Sequence, residues 1–144
     1  MNLATRCTLS VMKRLGLAGL LLALLVFSSC RTVPTDIPED LTQAELIQLA
    51  QESADQENWS AALAYYRAIV ERFPQDRAAQ ATARYEIAFI EYRRGNLTVA
   101  ESAFEELLAM YDTEPAVLPA WPRVLATRLL ADIRERRQTN AASG

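Results

Sequence analysis

Few side chains of this chain could do chemistry, and Cys30 stands out among them. The only other cysteine is Cys7, the only lysine is Lys13, and there is no histidine. Histidine is the commonest general base and the commonest transition-metal ligand in proteins. The chain also has only four glycines, and none of them form a glycine-rich phosphate loop. The sequence therefore predicts a protein that is not an enzyme and has neither cofactor nor metal.

Cys30 follows a short apolar segment near the start of the chain. The segment Leu15–Phe27 consists of 13 apolar or glycine residues, and basic residues such as Arg14 precede it. A membrane-spanning helix needs about 20 apolar residues, because the hydrocarbon core is about 30 Å thick. The segment is therefore too short to span a membrane. A basic start, a short apolar segment and small residues after it are typical of a secretory signal peptide.

The end of this segment resembles the lipobox of bacterial lipoproteins. The residues Phe27-Ser28-Ser29-Cys30 place two small residues directly before the cysteine. The resemblance implies that signal peptidase II removes residues 1–29 and that Cys30 carries a diacylglyceryl anchor, which holds a protein stably on a membrane. An ordinary cleaved signal and an uncleaved N-terminal anchor are the alternatives, but Cys30 would then be an unpaired thiol. By the same resemblance, Arg31 favours the outer membrane over retention at the inner membrane.

Residues 30–41 are predicted to be the lipidated cysteine and a tether. Two prolines and three acids without apolar periodicity are typical of a semi-rigid spacer. Removing the three positive charges of residues 1–29 from the formal net charge of −3 leaves −6 on residues 30–144. We do not expect a domain this acidic to bind nucleic acid.

The remaining sequence predicts an all-α domain over residues 42–138, followed by a disordered tail over 139–144. Apolar residues recur at helical spacing, and no stretch alternates as a β-strand would. Capping residues and prolines divide the helices from one another. The first four predicted helices cover 42–56, Asn58 to Pro74, about 77–94, and Asn96 to Tyr111. A loop is predicted over 112–120. A fifth helix follows, with Pro122 in its first turn and with Leu125, Leu129 and Ile133 on one face.

Two of the predicted helical hairpins share a pattern that repeats after 38 residues. The stretches ENWSAA (57–62) and GNLTVA (95–100) each combine a turn, an asparagine, a large apolar residue and an alanine. Small residues let helix axes approach closely, and an aromatic residue then fills the next gap. The pattern resembles the tetratricopeptide repeat. The matching positions are Ala50, Ala62, Tyr66 and Pro74 in the first unit and Ala88, Gly95, Ala100 and Phe104 in the second, whose closing proline is displaced to Pro115.

This resemblance covers about residues 43–112 and implies a fold and a role. The fold would be about two helical hairpin repeats with a C-terminal capping helix. Together with the lipobox, the 38-residue pitch makes the chain similar to periplasmic repeat lipoproteins of the outer membrane, such as those of the β-barrel assembly machinery and the Tol–Pal system. That similarity implies a lipid-anchored envelope adaptor, facing the periplasm, that binds a protein in outer-membrane assembly or envelope maintenance. A self-associating structural lipoprotein and a ligand-binding accessory to a transporter are the alternatives.

An aromatic stripe on the third helix is the candidate partner-binding surface. Tyr85, Phe89 and Tyr92 fall at i, i+4 and i+7, and Arg93 lies beside them. Aromatic residues and arginine dominate interface hot spots, and in tetratricopeptide arrays the inner helix of each pair lines a concave surface. Packing of the stripe against a neighbouring helix is the alternative. We expect a protein partner and no small-molecule substrate, and self-association stays open.

Overall fold

The computed structural model of the chain describes residues 33–34, 36–113 and 118–142, and all of its regular secondary structure is helical. These ranges contain five α-helices and no β-strand, which confirms the predicted all-α class. None of the five helices is long and apolar enough to cross a membrane. The predicted signal peptide, Cys30 and Pro115 lie outside the described residues. The helices are α1 (Gln43–Asp55), α2 (Trp59–Arg72), α3 (Arg77–Arg93), α4 (Leu97–Thr113) and α5 (Ala120–Ala142).

Side-chain caps begin the first three helices where the sequence predicts them. Thr42 Oγ1 accepts a hydrogen bond from Glu45 N at 3.3 Å, and Glu45 Oε2 accepts one from Thr42 N at 2.8 Å. Asn58 and Asp76 each accept from the backbone N–H three residues later, at 3.4 and 2.9 Å. Each cap satisfies an N–H group that has no partner within the helix.

The turn between α1 and α2 recurs, bond for bond, between α3 and α4. In both turns the residue before the asparagine has a positive φ, 54° at Glu57 and 81° at Gly95. This pattern is a Schellman motif, which pairs the last carbonyl groups of a helix. Its recurrence after 38 residues confirms that the two hairpins are structural repeats. The matching bonds are Asn58 N to Ser53 O (2.8 Å), Asn96 N to Glu91 O (2.9 Å), Glu57 N to Ala54 O (2.9 Å) and Gly95 N to Tyr92 O (3.0 Å).

Gly95 is needed for its backbone conformation and not for lack of space. A Cβ atom at this position would meet no atom within 4 Å. Because the left-handed region costs other residues about 1–2 kcal/mol, Gly95→Ala should lower the free energy of unfolding by about 1 kcal/mol. Gly95→Asn should lose less, since asparagine tolerates this region better. Urea unfolding followed by circular dichroism measures both, and an unchanged stability of Gly95→Ala would contradict the assigned turn.

Two core clusters meet at α3, which is buried on two sides. One cluster joins α1, α2 and α3, and the other joins α3, α4 and α5. Close packing connects each helix to the next, and α5 also touches α3. The described α5 covers the second cluster and so takes the position of the predicted capping helix. The small and aromatic positions of both repeats are all buried, namely Ala50, Ala62, Tyr66, Ala88, Ala100 and Phe104.

The end of the predicted tether is held against the folded domain. The Arg72 guanidinium donates to the backbone carbonyls of Pro38 at 2.6 Å and Ile37 at 2.7 Å. Ile37 and Leu41 also pack against the first core cluster. The described end of the predicted tether, from Ile37 to Leu41, is therefore part of the folded domain.

The sequence predictions for α5 are wrong in two respects. The helix continues to Ala142, so residues 139–142 are not a disordered tail. No proline or glycine interrupts this stretch before Gly144, and alanine is the best helix former. The predicted apolar face is also wrong at Leu125, which is exposed, whereas Ile133 is buried and Leu129 packs against the second core cluster as predicted. Ala126 and Leu130 complete the buried face. The small side chain of Ala126 lets α5 approach α4 closely.

Candidate functional site

The predicted aromatic stripe forms a continuous stack along α3. The ring centroids of Tyr85 and Phe89 lie 5.9 Å apart, and those of Phe89 and Tyr92 lie 6.4 Å apart. Tyr85 is buried, whereas Phe89 and Tyr92 are half-buried and Arg93 is exposed. The structure thus brings the three rings together on one side of the helix. The rings differ in how deeply they are buried.

Helix α5 covers both ends of this stack. Trp121 meets the ring of Tyr85 edge-on, with the centroids 5.1 Å apart. The Tyr92 hydroxyl donates to Asp132 Oδ2 at 2.7 Å and accepts from Arg136 Nη2 at 2.8 Å. The hydrogen bond between Tyr92 and Asp132 raises the pKa of the tyrosine and lowers the pKa of the carboxyl. Tyr85 and Tyr92 therefore fix α5 on α3.

Phe89 and Arg93 line a groove between α1 and α3. The end of this groove near Asp55 and Trp59 has a volume of about 350 Å³, and we call it the acidic end. The adjoining part near Ile47 and Trp121 has a volume of about 290 Å³ and is mostly apolar. Tyr66 of α2 lines both parts, and we call the two parts together the groove. It stays open because α1 and α3 are joined through α2 and not by close packing with each other.

The acidic end combines carboxylates with aromatic walls. Its lining includes Asp55, Glu57 and Glu86, against the single guanidinium of Arg93. The Arg93 guanidinium carbon lies 5.6 Å from the ring centroid of Trp59 and 6.0 Å from that of Phe89. Such cation–π contacts stabilise an arginine over an aromatic face. The acidic end is therefore a negatively charged pocket whose walls already hold one cation.

Glu86 differs from Glu91, another carboxylate of α3, in having no partner among the described residues. Glu91 is buried, accepts from Asn96 Nδ2 at 2.6 Å and pairs with Arg94 at 3.1 Å. Glu86 is half-buried in the groove, and no described residue forms a hydrogen bond or ion pair with it. Burial raises the pKa of the Glu86 carboxyl. Burial, followed by the charges of Glu86 and Asp55, also raises the pKa of the Tyr66 hydroxyl.

Glu86→Gln is expected to stabilise the fold near neutral pH. A carboxyl whose pKa is raised by folding binds more protons in the folded state, so its stability contribution is lost as pH rises through that pKa. The gain from Glu86→Gln should therefore be present well above the ordinary carboxyl pKa of about 4.3 and should vanish below it. Thermal unfolding across this range measures the effect. Glu106→Gln, at an exposed position of α4, is the control, and a pH-independent gain for Glu86→Gln would contradict the assignment.

The described residues outside the groove offer little other chemistry. No group of three histidine, cysteine or acidic side chains among them could hold a metal ion. A pocket of about 210 Å³ that includes Arg67, Arg84 and Glu106 lies on another side of α3. Arg84 Nε is buried there without a hydrogen-bond partner in the described part of the chain, and we have no physical account of it.

The sequence predicted some of the residues that line the groove and did not predict others. It selected Phe89 and Arg93 but not Asp55, Trp59 or Glu86, which lie on or beside three different helices. Trp59 did carry a signal, because it occupies the large apolar position after the asparagine in the first repeat. Asp55 and Glu86 each resemble an ordinary solvated acid in the sequence.

The comparisons with known proteins give one distant relative. The chain is 32% identical over 94 residues to a protein of Treponema pallidum (strain Nichols) that is described as an uncharacterized protein. The match covers 64% of this chain and 38% of the relative, so the chain spans well under half of that protein's length. No protein-family model matches the chain, and no solved structure does.

Proposed function

We propose that the chain is a lipid-anchored cell-envelope adaptor that binds a protein partner in the groove between α1 and α3. The observation that carries this proposal is the acidic end, where the unpaired carboxylate of Glu86 lies beside the rings of Trp59 and Phe89. A stable fold has no need of an unpaired half-buried charge. Aromatic side chains with charged neighbours are typical of interface hot spots.

The resemblance of Phe27–Cys30 to a lipobox supports the anchored part of the proposal. A diacylglyceryl group on Cys30 would hold the domain at the outer membrane, facing the periplasm. Because Arg72 holds Ile37 and Pro38, few residues of sequence would separate the anchor from the first residue fixed on the domain. A short tether raises the effective concentration of the groove for membrane-bound partners. Outer-membrane protein assembly and envelope maintenance are the processes that fit this position.

Site-specific photo-cross-linking in the native cells tests the adaptor role. A photoreactive residue at Gln51, which is exposed and lines the acidic end, should give a discrete adduct with one other protein. The matched control is Ser102 of α4, which is exposed and lines no part of the groove. Equal adducts from both positions, or none from Gln51, would contradict the proposal.

A second candidate role is self-association as a structural lipoprotein, which exposed apolar residues at the start of α5 favour. Trp121, Val124 and Leu125 are large apolar residues with 41%, 65% and 39% of their surface exposed. They lie within two turns of the helix, and burial against a second copy would remove them from water. In this role the chain would sediment as a dimer, and Val124→Asp would return it to a monomer. A wild-type chain that sediments as a monomer would rule this role out.

A further inference from the structure

We propose that the groove recognises its partner through a basic side chain, a lysine or an arginine, that enters the acidic end and pairs with Glu86. This inference rests on the proposed adaptor function and specifies the chemistry of the partner. The occupant would be an extended segment of another protein. Its basic residue would lie between α1 and α3, and its apolar residues would lie over the part of the groove near Ile47 and Trp121.

The fold leaves negative charge unbalanced in the acidic end of the groove. Glu86 is half-buried and has no ion-pair or hydrogen-bond partner among the described residues, whereas Glu91 on the same helix has two. Asp55 and Glu86 both line the acidic end, so the charge of the second carboxylate adds to that of the first there. An ammonium or guanidinium group placed there would form charge-assisted hydrogen bonds, which are about twice as strong as neutral ones.

Two aromatic rings line the acidic end and favour a cationic side chain there. Trp59 and Phe89 present their faces to the guanidinium of Arg93, at 5.6 and 6.0 Å. Arg93 is exposed and forms no ion pair with Glu86 or Asp55 in the described structure, so it leaves both carboxylates free. The aliphatic part of an incoming lysine or arginine can pack along the apolar lining of the acidic end while its charged end reaches Glu86. An acidic side chain would instead meet two carboxylates at close range.

The length of the groove fits a short extended segment. Helix α1 has 13 residues and is about 20 Å long at 1.5 Å per residue. An extended segment rises about 3.3 Å per residue, so about six residues would cover the groove. The two parts have volumes of about 350 and 290 Å³, and only the first is lined by Asp55 and Glu86. The structure therefore assigns the basic residue to one end of the segment and the apolar residues to the other.

Selection from a library of random decapeptides, displayed on phage and presented to the full chain in detergent, tests this inference. Peptides bound by the wild-type chain should be enriched in lysine or arginine at one position next to apolar residues. Selection against Glu86→Gln should lose the basic enrichment and keep the apolar one. Glu106→Gln, which removes the same charge from an exposed position outside the groove, should select the same peptides as the wild-type chain.

Peptides from the first selection provide the quantitative readout. Binding measured by fluorescence anisotropy should weaken at least tenfold for Glu86→Gln and by less for Asp55→Asn, because Asp55 is more exposed. It should also weaken as salt is added, since the contact is between charges. Peptides that bind in the groove without basic enrichment, or that bind Glu86→Gln equally well, would overturn the inference and leave the adaptor role intact. Peptides that do not compete with the Gln51 cross-link, or no enrichment at all, would contradict both.

Discussion

Replacing Phe104 by alanine is expected to lower the free energy of unfolding by about 3–5 kcal/mol, the usual cost of removing a fully buried phenylalanine. Phe104 is 0% exposed, and its ring lies 6.0 Å from that of Tyr85. It belongs to the core cluster that joins α3, α4 and α5. The substitution would leave a cavity where the three helices meet, so α5 should also loosen from α3. Urea unfolding of the full chain in detergent, followed by circular dichroism, measures the loss.

Val99→Ala is the matched control for this prediction. Val99 lies on the same helix, and 56% of its surface is exposed, so its truncation should change stability by less than about 0.5 kcal/mol. A loss for Phe104→Ala as small as that for Val99→Ala would mean that α5 does not close over this cluster.

Replacing Cys30 by alanine is expected to abolish lipid attachment entirely. The diacylglyceryl group forms a thioether with the cysteine sulfur in the lipoproteins that this segment resembles, and alanine offers no nucleophile for it. Without the modified cysteine, residues 1–29 should also stay on the chain, because signal peptidase II cuts before the lipidated residue. Metabolic labelling with an alkyne fatty acid and electrophoretic mobility measure the two effects together.

Cys7 provides the control for this experiment within the same chain. It is the only other cysteine, and by our interpretation it lies in the segment that is removed. Cys7→Ala should therefore take up label and migrate like the wild-type chain. If Cys30→Ala carries as much label as Cys7→Ala and migrates with it, the lipoprotein interpretation is wrong.

The helices and the repeat could be predicted from the sequence because their signals are local. A capping side chain and the N–H it satisfies lie three residues apart, as at Thr42, Asn58 and Asp76. The repeat was visible because both turns need the same residue types at the same spacing. Even so, Glu57 takes a positive φ where the second repeat has Gly95, which composition alone does not indicate.

The groove and the position of α5 depend on contacts between distant residues and could not be predicted. Asp55 and Glu86 are 31 positions apart in sequence, and only the packing of α1 and α3 around α2 brings them into the lining of one groove. The rotation of α5 depends on Ala126, whose small side chain contacts the core more closely than Leu125 can. Ion pairs from α5 to α4, such as Arg134 to Glu105 at 2.7 Å, further fix a helix whose own sequence has no clear apolar face.

We propose that the Glu86 carboxylate lowers the stability of the fold and strengthens binding of a partner in the groove. If Glu86→Gln stabilises the domain above the carboxyl pKa and weakens peptide binding, the carboxylate serves binding at the expense of stability, as residues at functional sites commonly do. If the substitution stabilises the domain without affecting binding, Glu86 is only an unfavourable charge.

The most direct test of the adaptor account is photo-cross-linking from Gln51 in native cells, performed on the wild-type chain and on Cys30→Ala. The account predicts one discrete protein adduct from the wild-type chain, absent from the Ser102 control and reduced several-fold when the anchor is lost. The adduct should be identified by mass spectrometry as a protein other than this chain. If Gln51 gives no adduct above the Ser102 level, or if its only product is a second copy of the chain, the groove does not bind a partner and the account fails.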